Sequence, residues 1–188
     1  MKRIIMSVFC FAFAMAFVGW VNQAAGEQEK VLANTFKGQN LEYNVSYPND
    51  WVYTFQAPYI VVFSAKKVAS GEATISIRNL NSTLVAGGRF KDVDSVIDGL
   101  LNQLKTTKDA VVYDPELYIY SEGQTKLTGK QVVVEYILQG EKYKQWVVVL
   151  PRVAGDVFHV WSFVSKAKSY DANLVIAKAM LNSFTIIQ

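Results

Sequence analysis

Cysteine and histidine are nearly absent from this chain. Cys10 and His159 are the sole members of their kinds among 188 residues. A Cys/His zinc site takes about four ligands, so these two side chains do not build one. A disulfide framework needs at least two cysteines, and there is one. No Gly-x-Ser-x-Gly elbow is present for nucleophilic hydrolysis. The phosphate loop ending in Gly-Lys-Ser/Thr is missing, and so is a calcium loop of alternating oxygen ligands around a central glycine. Nor is there an internal repeat, a Pro/Ser-rich linker or a block of like charge. What the chain has in quantity is apolar side chains, 51% of the total, which excludes wholesale disorder.

The first 26 residues are expected to be a secretory signal peptide. Lys2 and Arg3 begin it, and Ile4 to Val21 form an uncharged apolar run. The small residues Ala24-Ala25-Gly26 then offer a peptidase site, with cleavage expected before Glu27. The alternative is retention as a membrane anchor, since the run is near the shortest spanning length. Lipidation at Cys10 is not expected, because Ser7-Val8-Phe9 is not a lipobox. Cleavage removes the cysteine and leaves a chain close to electrical neutrality, with no broad field for nucleic acid or anionic lipid. Export places the mature protein in a periplasmic or extracellular space, with no membrane span once the signal is gone. Residues 27–35 read as a flexible lead-in and 36–188 as a single domain.

Period-two alternation predicts strands at Leu41–Tyr47 and Ala73–Leu80; between them Trp51–Phe55 reads as a short strand and Tyr59–Ala65 as an apolar run of strand length. The period then changes. Val93, Val96, Ile97, Leu100, Leu101 and Leu104 share one helical stripe, with Asp92 or Asp94 as cap. Strands are expected again at Leu117–Lys126, Gln131–Leu138, Tyr143–Val153 and Asp156–Ser165, the last three as an antiparallel meander. Asp171–Asn182 closes the chain as a helix, with Asp171 as its cap and Tyr170 stapled on Val175. Residues 81–91 show no period and read as the most mobile loop. The fold class is α+β: a largely antiparallel sheet with helices on its faces.

Several side chains are candidates for function. His159 alternates onto the face of Val157, Trp161 and Phe163; a proton carrier or ligand is one reading and a packed core histidine the other. Asp92, Asp94 and Asp98 suggest a hard-cation site, but Asp94 and Asp98 share a helix face while Asp92 lies at the cap, which favours capping and solvation. Gly87-Gly88-Arg89 suggests a phosphate cradle that the nearby acids oppose, so a plain loop is the better reading. Trp51, Trp146 and Trp161 either line a groove or fill the layers. Lys142, Lys144 and Trp146 share one strand face, as a partner-facing edge or as guards of an exposed strand.

The segment Tyr43-Asn-Val-Ser-Tyr-Pro-Asn-Asp-Trp51 resembles the strand, Tyr-Pro, turn, Trp opening of the PsbP-like superfamily, which includes PsbP, Mog-type Ran-binding proteins and bacterial DcrB-like proteins. Gly129-Lys-Gln-Val-Val-Val-Glu-Tyr136 and Met180-Leu-Asn-Ser-Phe184 resemble its entry to the meander and its closing helix. The likeness covers about residues 36–188 and fits an exported, bacterial-type member. It implies an α/β/α sandwich, no shared enzyme activity and a role in binding or assembly; no cofactor is expected.

The expected function is therefore that of an exported, non-enzymatic binding or assembly factor. It recognises an envelope protein or peptide through a sheet face or groove, and does not bind nucleic acid. Candidate binding residues are Arg89, Lys142, Lys144, Trp146, His159 and Trp161. The alternatives are a small-molecule or lipid carrier with an apolar cavity, and an enzyme using His159.

Overall fold

The computed structural model describes residues 32–66, 73–104, 107 and 109–187. The expected signal at 1–26 lies outside the described residues, as does the first part of the lead-in. In chain order the strands are β1 (Leu32–Gly38), β2 (Tyr43–Pro48), β3 (Trp51–Ala57), β4 (Ile60–Ala65) and β5 (Thr74–Asn81). Helix α1 (Val93–Leu104) follows, then β6 (Val111–Val112), β7 (Glu116–Glu122), β8 (Thr125–Leu138), β9 (Glu141–Pro151) and β10 (Val157–Lys166). Helix α2 (Tyr170–Asn182) and β11 (Thr185–Ile186) end the chain.

The strands form two antiparallel sheets among the described residues. The smaller has the order β1-β2-β11. The larger runs β3-β4-β5-β10-β9-β8, and β6 and β7 share the outer edge of β8. Because side chains alternate along a strand, the large sheet has two apolar faces. On one, Ile75, Ile77, Trp146, Leu150, Trp161 and Phe163 meet the small sheet and the Tyr170, Ala177, Met180 and Leu181 side of α2. On the other, Val132, Val134, Val147, Val149, Phe158 and Val160 meet Val96 and Ile97 of α1. Helices thus cover both faces, the α/β/α arrangement that the PsbP-like resemblance implies.

Helix α1 starts where its cap dictates. Asp92 Oδ1 accepts the Ser95 backbone N–H at 2.8 Å, and Ser95 Oγ accepts the Asp92 N–H at 3.1 Å, a reciprocal capping box. That hydrogen bond holds the Asp92 carboxyl below its usual range. Asp94 pairs instead with Lys130 of β8. At the far end of the chain, Ser183 Oγ accepts the Ser46 N–H at 2.9 Å and donates to Met180 O at 2.8 Å. The residue after α2 therefore ties the helix end to the small sheet, and Phe184 follows it into the core.

Five local expectations are corrected. Residues 32–35, read as part of a lead-in, are paired in β1. The Leu117–Lys126 strand is a hairpin that turns at Gly123, whose φ of 55° is left-handed. Asp171 does not cap α2: Ser169 holds that position without a side-chain bond, and Asp171 lies in the first turn. Tyr170 packs on Phe163, with ring centroids 5.1 Å apart, while Val175 is 58% exposed, so no staple forms. Residues 82–90 form a closed loop. Thr83 N–H bonds Phe90 O at 2.9 Å, Arg89 N–H bonds Asn81 O at 3.3 Å, and Ser82 and Phe90 make a parallel bridge.

Candidate functional site

Strand β3 ends the large sheet. Of its seven residues only Trp51 is buried. No charged residue occurs from Trp51 to Ala65, so this edge has none of the charges that usually guard an edge strand. Tyr53 and Phe55 are half exposed and rest on Phe36, with ring centroids at 4.9 and 6.1 Å; Tyr47 adds a further wall 6.0 Å from Tyr53.

The backbone of β3 is open as well. Bonded and non-bonded residue pairs alternate in an antiparallel ladder. Lys66 N–H bonds Asp50 O, and the same register pairs Val52 with Ser64 and Thr54 with Val62. The Asn79 N–H to Tyr59 O bond fixes the phase of β4 on β5 in agreement. Tyr53 and Phe55 therefore direct their backbone N–H and C=O away from β4, to the free side of the sheet.

A groove lies beyond the turn that joins β3 to β4. Strand β4 covers β5 only from Thr74 to Arg78, so Asn79–Asn81 outrun it. The closed loop 82–90 folds back beside them and leaves an open groove of about 380 Å³. Tyr59, Arg78, Arg89 and Phe90 line it, and no carboxylate does. Both arginines are exposed, and neither forms an ion pair among the described residues. Gly88 explains how tightly the loop is held: a Cβ there would stand 1.8 Å from Ser82 O.

The groove is connected to the core through Asn79. Its Nδ2 donates to Leu41 O at 2.8 Å, which leaves Oδ1 to face His159 Nδ1 at 2.8 Å. Nδ1 must then carry the proton and Nε2 the lone pair. His159 is buried between the rings of Tyr43 and Phe184, at 5.8 and 5.7 Å. Burial lowers its pKa to about 4, with the charge of Arg152 adding to the effect. Tyr43 Oη, His159 Nε2 and Trp161 Nε1 are buried without a hydrogen-bond partner among the described residues. Burial also raises the Tyr43 hydroxyl well above its usual range.

Of the six candidate binding residues, Arg89 alone lines the groove, beside Gly87. Trp161 and Trp146 are core residues, and Trp146 Nε1 donates to Gln131 Oε1 at 3.0 Å. Lys142 and Lys144 do not mark an edge, because β9 lies between β8 and β10. They neutralise Glu135 across the strand pair, at 2.5 and 3.5 Å. The hydrogen bond from Lys142 holds the Glu135 carboxyl below its usual range and raises Lys142 in turn. Lys144 also sits 4.9 Å over the Tyr170 ring. His159 has an amide partner and an apolar wall, not the carboxylate that acid–base chemistry asks of it. Asp92, Asp94 and Asp98 do not converge, and no group of three metal-ligating side chains occurs among the described residues. A second groove, of about 300 Å³, mixes Asp114, Glu116 and Lys144 with Tyr113 and Gln131. Neither groove is an apolar chamber. Tyr53, Phe55, Tyr59 and Arg78 were not among the sequence candidates, although the uncharged run 51–65 is a visible signal.

No family model matches the sequence, and comparison with curated proteins finds no match. Solved structures do match. The cyanobacterial PsbP of Synechocystis sp. PCC 6803 superposes with a TM-score of 0.53 at 11% identity, over 83% of this chain and 93% of its own. The chain has the PsbP-like fold. LpqN of Mycobacterium tuberculosis shares that fold with a TM-score of 0.53 at 18% identity, over 78% of this chain and 83% of its own. So does the Ran-binding protein Mog1p of Saccharomyces cerevisiae, with a TM-score of 0.52 at 11% identity, over 82% and 95%. In a longer Bacteroides thetaiotaomicron structure, this chain spans 48% of the length. The likeness covers the sandwich; the arginine groove and the uncharged β3 edge are described from this chain's own residues.

Proposed function

We propose that this protein is an exported, non-enzymatic binding or assembly domain that holds a protein partner along the free edge of β3. The observation that carries the reading is that edge itself. Tyr53 and Phe55 present their rings half exposed and their backbone groups unpaired on a strand without a single charge. An extended partner segment satisfies those backbone groups by adding a strand, and the rings give it side-chain anchors. The PsbP-like fold supports a binding role by analogy: one protein that has it is described as Ran-binding and another as involved in cell envelope biogenesis. Export rests on the signal-like segment at 1–26.

Site-specific photo-cross-linking in living cells tests this. A photoreactive side chain at Phe55 is expected to capture a discrete protein partner, while one at Lys178, exposed on α2, captures none. Equal capture at both positions, or none at Phe55, contradicts it.

A further inference from the structure

The arginine groove adds a chemistry that the β3 edge lacks. Arg78 and Arg89 bring two guanidinium groups to one open groove with no lining carboxylate. A guanidinium without a counter-ion beside a concave surface is a recognition group for a planar anion, which it meets with two parallel N–H donors. Their origins differ. Arg78 projects from the end of the β4–β5 pairing, and Arg89 from a loop held by backbone bonds to Asn81 and by the close approach of Gly88 to Ser82. Both Cα positions are thus set by the fold before any ligand arrives, which lowers the ordering cost of binding.

We propose that this groove binds a carboxylate side chain of an extended acidic peptide. The inference rests on the protein-binding reading and names its partner chemistry. Charge complementarity selects an anion. The aromatic rings beside the arginines select a peptide, since Tyr59, 62% exposed, and Phe90 give flat walls for a chain to lie against. Tyr59 lies in the turn that joins β3 to β4, so the groove adjoins one end of the β3 edge, on the α1 face of the sheet.

The test is a nuclear magnetic resonance titration of the nitrogen-15-labelled protein. The probe is the peptide acetyl-Glu-Tyr-Glu-Tyr-Glu-amide, with its Gln counterpart, inorganic phosphate and phosphatidylglycerol vesicles as separate arms. The Glu peptide is expected to shift the amides of 79–81 and 87–90 and the Nε–H signals of Arg78 and Arg89. The double variant R78Q/R89Q is expected to weaken it at least tenfold, while K178Q, which removes a positive charge from the exposed side of α2, is expected to stay at the wild-type level. Equal binding of the Glu and Gln peptides overturns the proposal. So does a response to phosphate or vesicles without one to the peptide, or equal behaviour of R78Q/R89Q and K178Q. The comparison of the two peptides uses the unmutated protein, so a folding defect in a variant does not obscure it. The two readings fail separately: capture at Phe55 without peptide selectivity faults the groove, and selectivity without capture faults the edge.

Discussion

Asn79 Oδ1 accepts the Nδ1 proton of His159 at 2.8 Å, between side chains 80 positions apart in the chain. Asn79 also donates to Leu41 O in the turn between β1 and β2, so one amide joins the large sheet, the small sheet and the rim of the groove. The opposite ring nitrogen of His159 points into an aromatic nest of Tyr43 and Phe184. Burial in this nest favours the neutral form of the His159 ring.

That gives a pH dependence with a definite sign. His159 titrates near 4 when folded, against an ordinary value of 6.5. Between those values the unfolded chain binds the extra proton, so stability is full above about pH 6.5 and falls as the pH drops toward 4. The loss amounts to about 3 kcal/mol over the window. Urea denaturation at a series of pH values measures it. His159→Gln, which keeps a donor for Asn79 and cannot titrate, is expected to flatten this part of the profile.

Phe184 closes the nest from the other side. Its ring lies 5.2 Å from Tyr43, 5.7 Å from His159 and 6.2 Å from Trp161, and it is almost fully buried. Phe184→Ala is expected to cost about 3–5 kcal/mol, read as a lower denaturation midpoint, because the cavity has rigid aromatic walls.

Gly88 connects loop geometry to binding. A methyl group there meets backbone, not a flexible side-chain end. Gly88→Ala is expected to destabilise the protein by about 1–3 kcal/mol through displacement of the loop. Displacement moves Arg89, so the same variant is expected to lose affinity for the Glu peptide in the titration above. Retained stability with retained affinity contradicts the account of the loop.

Phe55→Lys places a charge on the free edge, the device that edge strands commonly use against pairing. Its ring is more exposed than buried and contacts Phe36 alone among measured ring pairs outside β3, so the stability change is expected to stay within about 1 kcal/mol. Partner recovery after cross-linking from a neighbouring exposed position, Tyr59, is expected to fall at least tenfold.

Much of the fold is legible in the sequence because burial follows local period. Val93 to Leu104 writes its helical stripe directly, and Ile75 and Ile77 write the buried face of β5. Strand β1 is not legible in the same way: none of its residues Leu32–Thr35 is fully buried, and this half exists through pairing with β2. The hairpin turn at Gly123 is written in a glycine that local reading passed over. The candidate site is less legible than the fold. Alternation shows which residues share a face with Trp146, Trp161 and His159, but not that the small sheet and α2 cover that face. Arg89 stands out beside two glycines, whereas Arg78 gains meaning only when β4 stops short and the loop folds back beside it.

Amide hydrogen exchange at Tyr53 and Phe55 tests the central claim most directly, because their N–H groups face the free side of the sheet. In the isolated protein both are expected to exchange quickly, and in the complex with the cross-linked partner both are expected to slow by tenfold or more. Partner-induced protection elsewhere on the surface, with these two amides unchanged, would contradict strand addition at β3.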